Sequence, residues 1–364
     1  MDDRLLLGGF AIALGIAAGV VLFVPFVAIS YRRRGGLSAG RFVLWAAALV
    51  YFMAIWTYTL LPLPDPDAVR CAGVNLDLFA FVADLRGAAM RPTTVLTDPA
   101  ALQVLLNVLL FIPLGFFVRV IGGRGILVAA LVGLGLSGFI ELTQLTGAWG
   151  LYPCAYRVFD VDDLLTNSLG AVIGSLLSLA VPPAHRGMAR AADADRPRAV
   201  TRFRRLLAMV CDVVGSWLVA LAVGVLFQLA LFMLGATAEV RDGGAAGVVS
   251  SAVTIAVSLI VVLATGRTVG DLAVQLRFQG GPLPVWLART LRFAGGIGGF
   301  LLLFALPGAW DFVGWLFALG SLVLVFTTPD GRGLPGLVSG QYVADAREPL
   351  DPDEPVRPRS ARGR

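Results

Sequence analysis

Residues 102–121 read LQVLLNVLLFIPLGFFVRVI, an apolar run as long as the roughly 20 residues that a helix needs to cross a bilayer. Eight further apolar stretches have the same character, at about 5–29, 42–62, 125–146, 164–181, 206–234, 248–265, 293–306 and 312–326. The last two are short and are separated by Pro307 and Gly308, so one long kinked helix is an alternative for them. The sequence therefore predicts an all-α, polytopic bundle in a membrane, with about nine transmembrane helices, or eight.

The composition agrees with a membrane protein. Hydrophobic residues make up 57% of the 364 residues and charged residues only 15%, whereas soluble domains carry about 25% charged residues. This deficit excludes an ordinary soluble enzyme, a disordered protein and a nucleic-acid-binding domain. One His and three Cys leave almost no means of building a His-dependent triad or a Cys/His zinc site. We expect no nucleic-acid partner, and the oligomeric state stays open.

The 29 basic residues, all of them arginine, are unevenly distributed along the chain. With the N-terminus outside, 23 of them fall in the cytoplasmic segments 31–41, 119–124, 183–205, 266–292 and 327–364. The six others are Arg4, Arg70, Arg86, Arg91, Arg157 and Arg241. Because cytoplasmic loops are rich in basic residues, we predict an external N-terminus and a cytoplasmic C-terminus. The loop 267–292 is expected to lie against anionic lipid headgroups.

Four segments differ in composition. Five predicted helices lie in residues 1–182, and about four lie in residues 206–343. Between them, residues 183–205 are polar and have no apolar period, which predicts a cytoplasmic linker. Residues 344–364 alternate acidic residues, Pro and Arg, which predicts a disordered cytoplasmic tail. The small residues of 170–174 and 295–299 indicate close helix packing.

Polar residues converge on the predicted outer ends of helices in the first half. They are Asn107, Glu141, Gln144, Arg157, Asp160, Asp163 and Asn167. A structural reading makes Asp162 or Asp163 a helix N-cap, Arg157 the neutraliser of Glu141, and the amides interhelical bonds. The functional reading is a polar pocket for a charged headgroup or a divalent cation. No other cofactor is expected.

Two further features call for a chemical reason. Cys71 and Cys154 both fall in predicted outer loops, where thiols tend to oxidise, so we predict a disulfide between them. Asp212 lies seven residues after Arg205, on the same helix face. This spacing predicts a structural ion pair, with a coupling-ion or proton site as the alternative.

The first half resembles the VanZ-like family over roughly residues 10–182. The resemblance is carried by Asn107-Val-Leu-Leu-Phe-Ile-Pro-Leu-Gly-Phe116, by Glu141-x-x-Gln144, and by Arg157-Val-Phe-Asp-Val-Asp-Asp-Leu-Leu-Thr-Asn-Ser-Leu-Gly170. The named member of that family confers low-level resistance to the glycopeptide teicoplanin. The resemblance implies a protein of the bacterial plasma membrane with a role in the cell envelope rather than a particular reaction.

The second half resembles an RDD domain over about residues 200–343. Arg205-Leu-Leu-Ala-Met-Val-Cys-Asp212 matches the first Arg/Asp element, and Gly266-Arg-Thr-Val-Gly270 matches the following loop. The closing Asp is missing, since Leu334-Pro335-Gly336 stands in its place. The resemblance implies a link to ion transport, which the missing Asp weakens.

From these features we expect binding or remodelling of an amphiphilic envelope ligand at the outer face. A lipid-linked wall precursor and a glycopeptide are the expected ligands, and membrane lipids are further partners. The alternatives are a transporter with an ion-coupling site at Asp212 and, third, a carboxylate-based intramembrane enzyme. An enzyme is disfavoured because the sequence shows no activated nucleophile.

Overall fold

The computed structural model describes residues 3–61, 63–65, 69–90 and 98–349. Among these residues, eight helices are long and apolar enough to span a membrane, and a bent pair of shorter helices makes a ninth when it is counted as one span. Large apolar side chains along these helices are widely exposed, for example Leu226 at 66% and Phe312 at 68%. Such surfaces suit contact with lipid rather than water, so the chain is a polytopic helical membrane protein.

The chain forms two compact units, and the first comprises Met1–Gly19 and Ser38–Ala189. Its core is made by Ile55, Phe111, Leu114 and Ile140. A parallel pair of two-residue strands joins its connecting segments. Its elements are the N-terminal part of α1 (Asp3–Arg34), α2 (Ala39–Leu60), β1 (Val74–Asn75), α3 (Ala80–Met90), α4 (Pro99–Val120), α5 (Ile126–Leu145), the left-handed turn α6 (Gly147–Gly150), β2 (Phe159–Asp160) and α7 (Val161–Leu177).

Glycines allow α4 and α7 to approach each other at backbone distance. A Cβ atom on Gly174 would lie 1.8 Å from the carbonyl oxygen of Ile112, and one on Gly115 would lie 1.7 Å from that of Ala171. Both distances are far below van der Waals contact. The packing face that the small residues of 170–174 predict is therefore confirmed, and it fixes the helix pair that carries most of the polar site.

Gly174→Ala is expected to destabilise the first unit by about 1–3 kcal/mol, because α4 and α7 must separate to admit one methyl group. Gly135→Ala in α5 is the matched control, since a Cβ there meets no atom within 4 Å. Alanine is the better helix former, so this control is expected to be neutral or slightly stabilising. Thermal unfolding in detergent measures both variants. Equal melting temperatures for the two would contradict the close approach.

The second unit comprises Val20–Leu37 and Arg190–Arg364. Its core includes Val27, Tyr31, Leu207, Val274 and Leu276. Beyond the end of α1, its elements are α8 (Arg202–Met233), α9 (Thr237–Asp242), α10 (Gly244–Thr265), α11 (Val269–Ala273), β3 (Leu276–Gln279), α12 (Val285–Ala294), α13 (Ile297–Ala305), α14 (Trp310–Thr327), α15 (Gly333–Ser339) and β4 (Tyr342–Asp345). Strands β3 and β4 pair antiparallel.

The two last apolar segments form separate helices. The rings of Phe304 in α13 and Trp315 in α14 meet edge to face, with centroids 5.4 Å apart. A Cβ on Gly314 would lie 2.8 Å from the Phe304 ring. The chain therefore folds back between α13 and α14, and the alternative of one long kinked helix is wrong. The preceding pair of helices, α12 and α13, is bent by 49° at its junction.

The predicted domain boundaries differ from those of the two units. Residues 20–37, expected in the first half, pack with the second unit. The predicted linker 183–205 is not a free connection: the Ala191 N–H donates to the Arg33 carbonyl at 2.7 Å, and α8 already begins at Arg202. The predicted disordered tail is wrong at its start, because Ala344 and Asp345 belong to β4. Its residues 350–364 lie outside the described residues.

Candidate functional site

A disulfide and a strand pair hold two connecting segments together at one end of the first unit. Cys71 and Cys154 are bonded, which confirms the predicted bridge. Beside it, the Ala72 N–H donates to the Ala155 carbonyl at 2.8 Å, and β1 pairs with β2 in register Asn75↔Asp160. These links place residues before α3 directly against the start of α7, where the acidic residues lie.

Two of the acidic residues cap helices. Asp160 is the N-cap of α7, accepting the Asp162 N–H at 2.9 Å, and its other oxygen accepts from the Asn75 side chain at 3.2 Å. Asp162 accepts the N–H groups of Phe79 and Phe81 at 2.8 and 3.0 Å, at the start of α3. The α7 cap is therefore Asp160, not Asp162 or Asp163 as the structural reading had it, and Asp162 has a structural role.

Glu141, Asp160 and Asp163 form what we call the acidic cluster. Glu141, only 4% exposed, accepts the Asp160 N–H at 3.1 Å. Asp163 accepts from the Asn107 side chain at 2.6 Å and from Gln103. The three carboxyl groups are near enough to repel one another. Among the described residues, no arginine forms an ion pair with any of them. The Arg157 charge acts on Glu141 only from a greater distance.

Arg157 and Gln144 meet at a backbone carbonyl rather than at the acidic cluster. Both side chains donate to the Thr59 oxygen, at 3.0 Å from Arg157 and 2.8 Å from Gln144. Arg157 therefore forms no ion pair with Glu141, and the expected neutralisation is limited to the effect of the Arg157 charge from a greater distance. Gln144 does join α5 to the end of α2, as the interhelical reading predicted.

Within the part of this end that the structure describes, two buried polar atoms have no hydrogen-bond partner. Asn167, 7% exposed, donates to the Ser137 hydroxyl at 2.8 Å, but its Oδ1 has none. The Tyr156 hydroxyl also has none. Burial raises the pKa of Tyr156, against the opposing effect of Arg157, so the phenol stays protonated near neutral pH. Because buried polar atoms are nearly always hydrogen-bonded, both atoms are suited to binding a polar group held at this end.

Of the seven predicted site residues, the structure brings four into direct contact, as the pairs Asn107–Asp163 and Glu141–Asp160. Gln144, Arg157 and Asn167 bind other groups. Sequence reasoning missed the contributions of Asn75 and Gln103, since both depend on which segments meet in the fold. Across the described part of the chain, no group of three or more His, Cys, Asp or Glu side chains has an arrangement that could hold a metal ion.

In the second unit, Arg205 does not form the predicted pair with Asp212. Its guanidinium binds Asp271 at 3.0 Å, whereas Asp212 accepts the Gly270 N–H at 2.6 Å. All three line a cavity of about 140 Å³ together with Arg292. The neighbouring residue Arg204 forms a second buried pair, with Asp345, at 2.8 Å. Sequence spacing could not reveal either partner, because both lie more than 60 residues away.

The arginines of 267–292 are mostly engaged within the protein. Arg267 donates to the Leu276 carbonyl at 2.7 Å, Arg277 to that of Glu348 at 2.7 Å, and Arg289 to that of Leu263 at 2.5 Å. Arg292 is only 3% exposed. The expectation that this loop lies against lipid headgroups is therefore wrong for Arg292, and the other three stabilise chain ends and turns.

These features define a polytopic helical membrane protein with a buried polar site at one end of its first unit. Residues 42–181 match the family model described as VanZ/LLP1. The match spans α2 to α7 and contains every residue of the acidic cluster, so the N-terminal part of the chain is VanZ-like. The match ends at residue 181, and the comparisons give no support for the RDD resemblance expected of the second half. Searches of curated proteins and of solved structures found no match.

Proposed function

We propose that the protein binds an amphiphilic ligand of the bacterial cell envelope at the acidic cluster, on the outer face of the plasma membrane. The proposed ligands are a lipid-linked wall precursor or a glycopeptide such as teicoplanin, with antibiotic resistance as the cellular outcome. The observation that carries the proposal is a group of three neighbouring carboxyl side chains with which no arginine of the described residues forms an ion pair.

The acidic cluster, which forms no ion pair among the described residues, suggests which part of the ligand is recognised. Carboxylates that are largely withdrawn from water are costly unless a cation or a proton compensates them. An amine on the ligand would supply that charge at Glu141 and Asp163. The Asn167 Oδ1 atom offers a further acceptor. We propose that Arg157, which is exposed, contacts an acidic group of the same ligand.

The proposed orientation rests on two independent observations. The arginine distribution favours an external position for this end of the helices. The Cys71–Cys154 disulfide supports the same side, because disulfides persist in extracytoplasmic compartments. The match of this region to the VanZ/LLP1 family model supports an envelope role.

Glu141→Gln is expected to weaken ligand binding at least about tenfold, a change of about 1.4 kcal/mol, because the amide carries no charge for an amine to meet. Teicoplanin and a lipid-linked wall precursor would be titrated against protein in nanodiscs, with and without Mg²⁺. Glu239→Gln is the matched control, since Glu239 is an exposed acidic residue of the second unit. Unchanged affinity of Glu141→Gln, in protein that keeps its disulfide, would refute the proposal.

The alternative function is transport with an ion-coupling site at Asp212, in an RDD-like second unit. It is favoured by the cavity that Asp212, Arg205 and Asp271 line together. Loss of ion flux in Asp212→Asn, with ligand binding at the acidic cluster intact, would support this alternative. Flux equal to that of the native protein would exclude it.

A further inference from the structure

The cavity of about 140 Å³ in the second unit has a mostly apolar lining that a few charged side chains interrupt. We call it the second-unit cavity. Its lining comes mainly from α8, α12, α13 and α14, and the apolar part includes Met209, Val213, Phe300, Phe317 and Ala318. Sites for small ligands typically have this composition, in which an apolar wall supplies contact and a small number of polar groups fix the orientation.

Two of the four charged groups in the lining neutralise each other. The Arg205 guanidinium donates to one oxygen of Asp271 at 3.0 Å. The other Asp271 oxygen accepts the Thr268 N–H at 3.2 Å. This ion pair is complete within the protein, so Arg292 and Asp212 are the two charged groups that the second-unit cavity can offer to a ligand.

Arg292 is a buried cation without an acidic partner. The residue is 3% exposed, and no carboxylate in the described part of the chain forms an ion pair with it. Its Nε and NH2 atoms have no hydrogen-bond partner there either. Its guanidinium carbon lies 4.8 Å from the centre of the Phe278 ring, which also lines the cavity. The charged end of Arg292 therefore lies at the cavity wall, where a carboxylate would supply both charge and acceptors.

Asp212 is the matching anion of the same cavity. Its carboxylate accepts the Gly270 N–H at 2.6 Å and a hydrogen bond from the Thr268 side chain, and neither donor carries a charge. No arginine among the described residues forms an ion pair with it. Asp212 keeps some accessible surface, whereas Cys211 beside it is fully buried. Because a carboxylate has about four acceptor positions, Asp212 can still accept from an ammonium group.

The charges and the size of the second-unit cavity together define the ligand class. One positive and one negative side chain line it without forming an ion pair with each other. A ligand with a single charge would compensate one of them and leave the other, whereas a zwitterion compensates both. A cavity of about 150 Å³ holds a molecule of the size of benzene, so a small zwitterion fits.

We propose that the second-unit cavity binds a small apolar amino acid, of about the size of alanine or valine. Its ammonium group meets Asp212, its carboxylate meets Arg292, and its side chain packs against Phe300 and Phe317. The buried Ser321 hydroxyl, which also lines the cavity and has no partner in the described structure, is a further polar group for the ligand. This site goes beyond both functions proposed above and does not depend on the acidic cluster.

The test compares three probes by thermal unfolding of the full chain in detergent, since a ligand that binds the folded state raises the melting temperature. The probes are L-valine, 2-methylpropylamine, which is valine without its carboxylate, and 3-methylbutanoate, which is valine without its ammonium. We expect a rise of several degrees with valine and an affinity at least about tenfold lower for each of the other two. This comparison uses the native protein and needs no variant.

Variants place the binding site. Asp212→Asn and Arg292→Gln each remove one of the two charges and are expected to lose the rise with valine. Asp311→Asn is the matched control, because Asp311 is an exposed acidic residue of the same unit outside the cavity lining, and it should keep the rise. Glu141→Gln should also keep it, which separates this site from an amine that binds at the acidic cluster.

Every other outcome overturns the proposal. An equal rise with valine and 2-methylpropylamine would show a cation site without recognition of the carboxylate. An equal rise with valine and 3-methylbutanoate would show an anion site alone. The absence of a rise with valine, or a rise that Asp212→Asn keeps in full, would show that no amino acid binds between these two charges. If either cavity variant does not fold, the three probes on the native protein decide the question.

Discussion

Asp345→Asn is expected to destabilise the second unit by about 3–5 kcal/mol, the usual cost of breaking a buried ion pair. Asp345 is 1% exposed and its partner Arg204 is 3% exposed. The carboxylate binds the Arg204 guanidinium, the Arg347 side chain and the N–H groups of Arg198 and Arg347. The amide leaves the buried Arg204 charge without its counter-charge, and the junction of α8 with β4 weakens.

The same carboxylate predicts how stability changes with pH. Burial alone would raise the pKa of Asp345, but hydrogen bonds from Arg347 and Arg204 hold it at about 2, below its ordinary value of 3.8. A depressed pKa means that the stabilisation is complete above about pH 4 and is lost as the pH falls toward 2. Asp345→Asn is expected to lack this acid-dependent loss.

Melting temperatures of the purified protein between pH 3 and pH 7 measure both effects. At roughly 2–4 °C per kcal/mol, Asp345→Asn is expected to melt at least about 6 °C lower at pH 7. Asp193→Asn is the control, because its pair with Arg198 is about half exposed and such pairs contribute under about 1 kcal/mol. A shift in Asp345→Asn no larger than in this control would contradict the assigned role.

Removing the Cys71–Cys154 disulfide by the double change to serine is expected to cost about 2–5 kcal/mol. The bridge closes a loop between residues 83 positions apart, and the cost rises with loop length in the chain-entropy view. Without the disulfide, the segment that carries β1 is less firmly held, so we expect the hydrogen bond from Asn75 to Asp160 to be lost. Ligand binding at the acidic cluster is expected to weaken together with the melting temperature.

Thiol labelling checks the bridge itself. The unfolded, unreduced protein is expected to accept one label, at the buried free Cys211, and three labels after reduction. Three labels without reduction would show that the bridge does not form in the membrane. Reduction of the native protein should lower its melting temperature as far as the serine variant does, and Cys211→Ala should remain sensitive to the reductant.

The helices that span the membrane were predictable because each one carries its own signal. About 20 apolar residues specify a helix in lipid wherever the rest of the chain lies, since each helix satisfies its own backbone hydrogen bonds. The short and interrupted segments were harder to assign. Gly295 and Gly296 bend α12 against α13, and only the packing of Phe304 on Trp315 shows that α13 and α14 are distinct helices.

The candidate site was predictable in outline only. Helix direction alone places the ends of α4, α5 and α7 on one side, so the gathering of Asn107, Glu141 and Asp163 follows from topology. Hydrogen bonds to β1 and α3 decide which of the acidic residues caps a helix and which stays in the acidic cluster. Those segments lie about 80 residues away in sequence, beyond the reach of local spacing.

The sequence by itself determined the membrane helices, the uneven arginine distribution and the pair of cysteines suited to a disulfide, because hydropathy and composition act locally. Only the tertiary structure decided the partners of the charged residues. Arg205 and Asp212 lie two turns apart on the same helix face, yet Arg205 forms its ion pair with Asp271, and Asp212 accepts the Gly270 N–H. Electrostatic attraction and hydrogen bonding depend on distance in space, and that distance is set by packing.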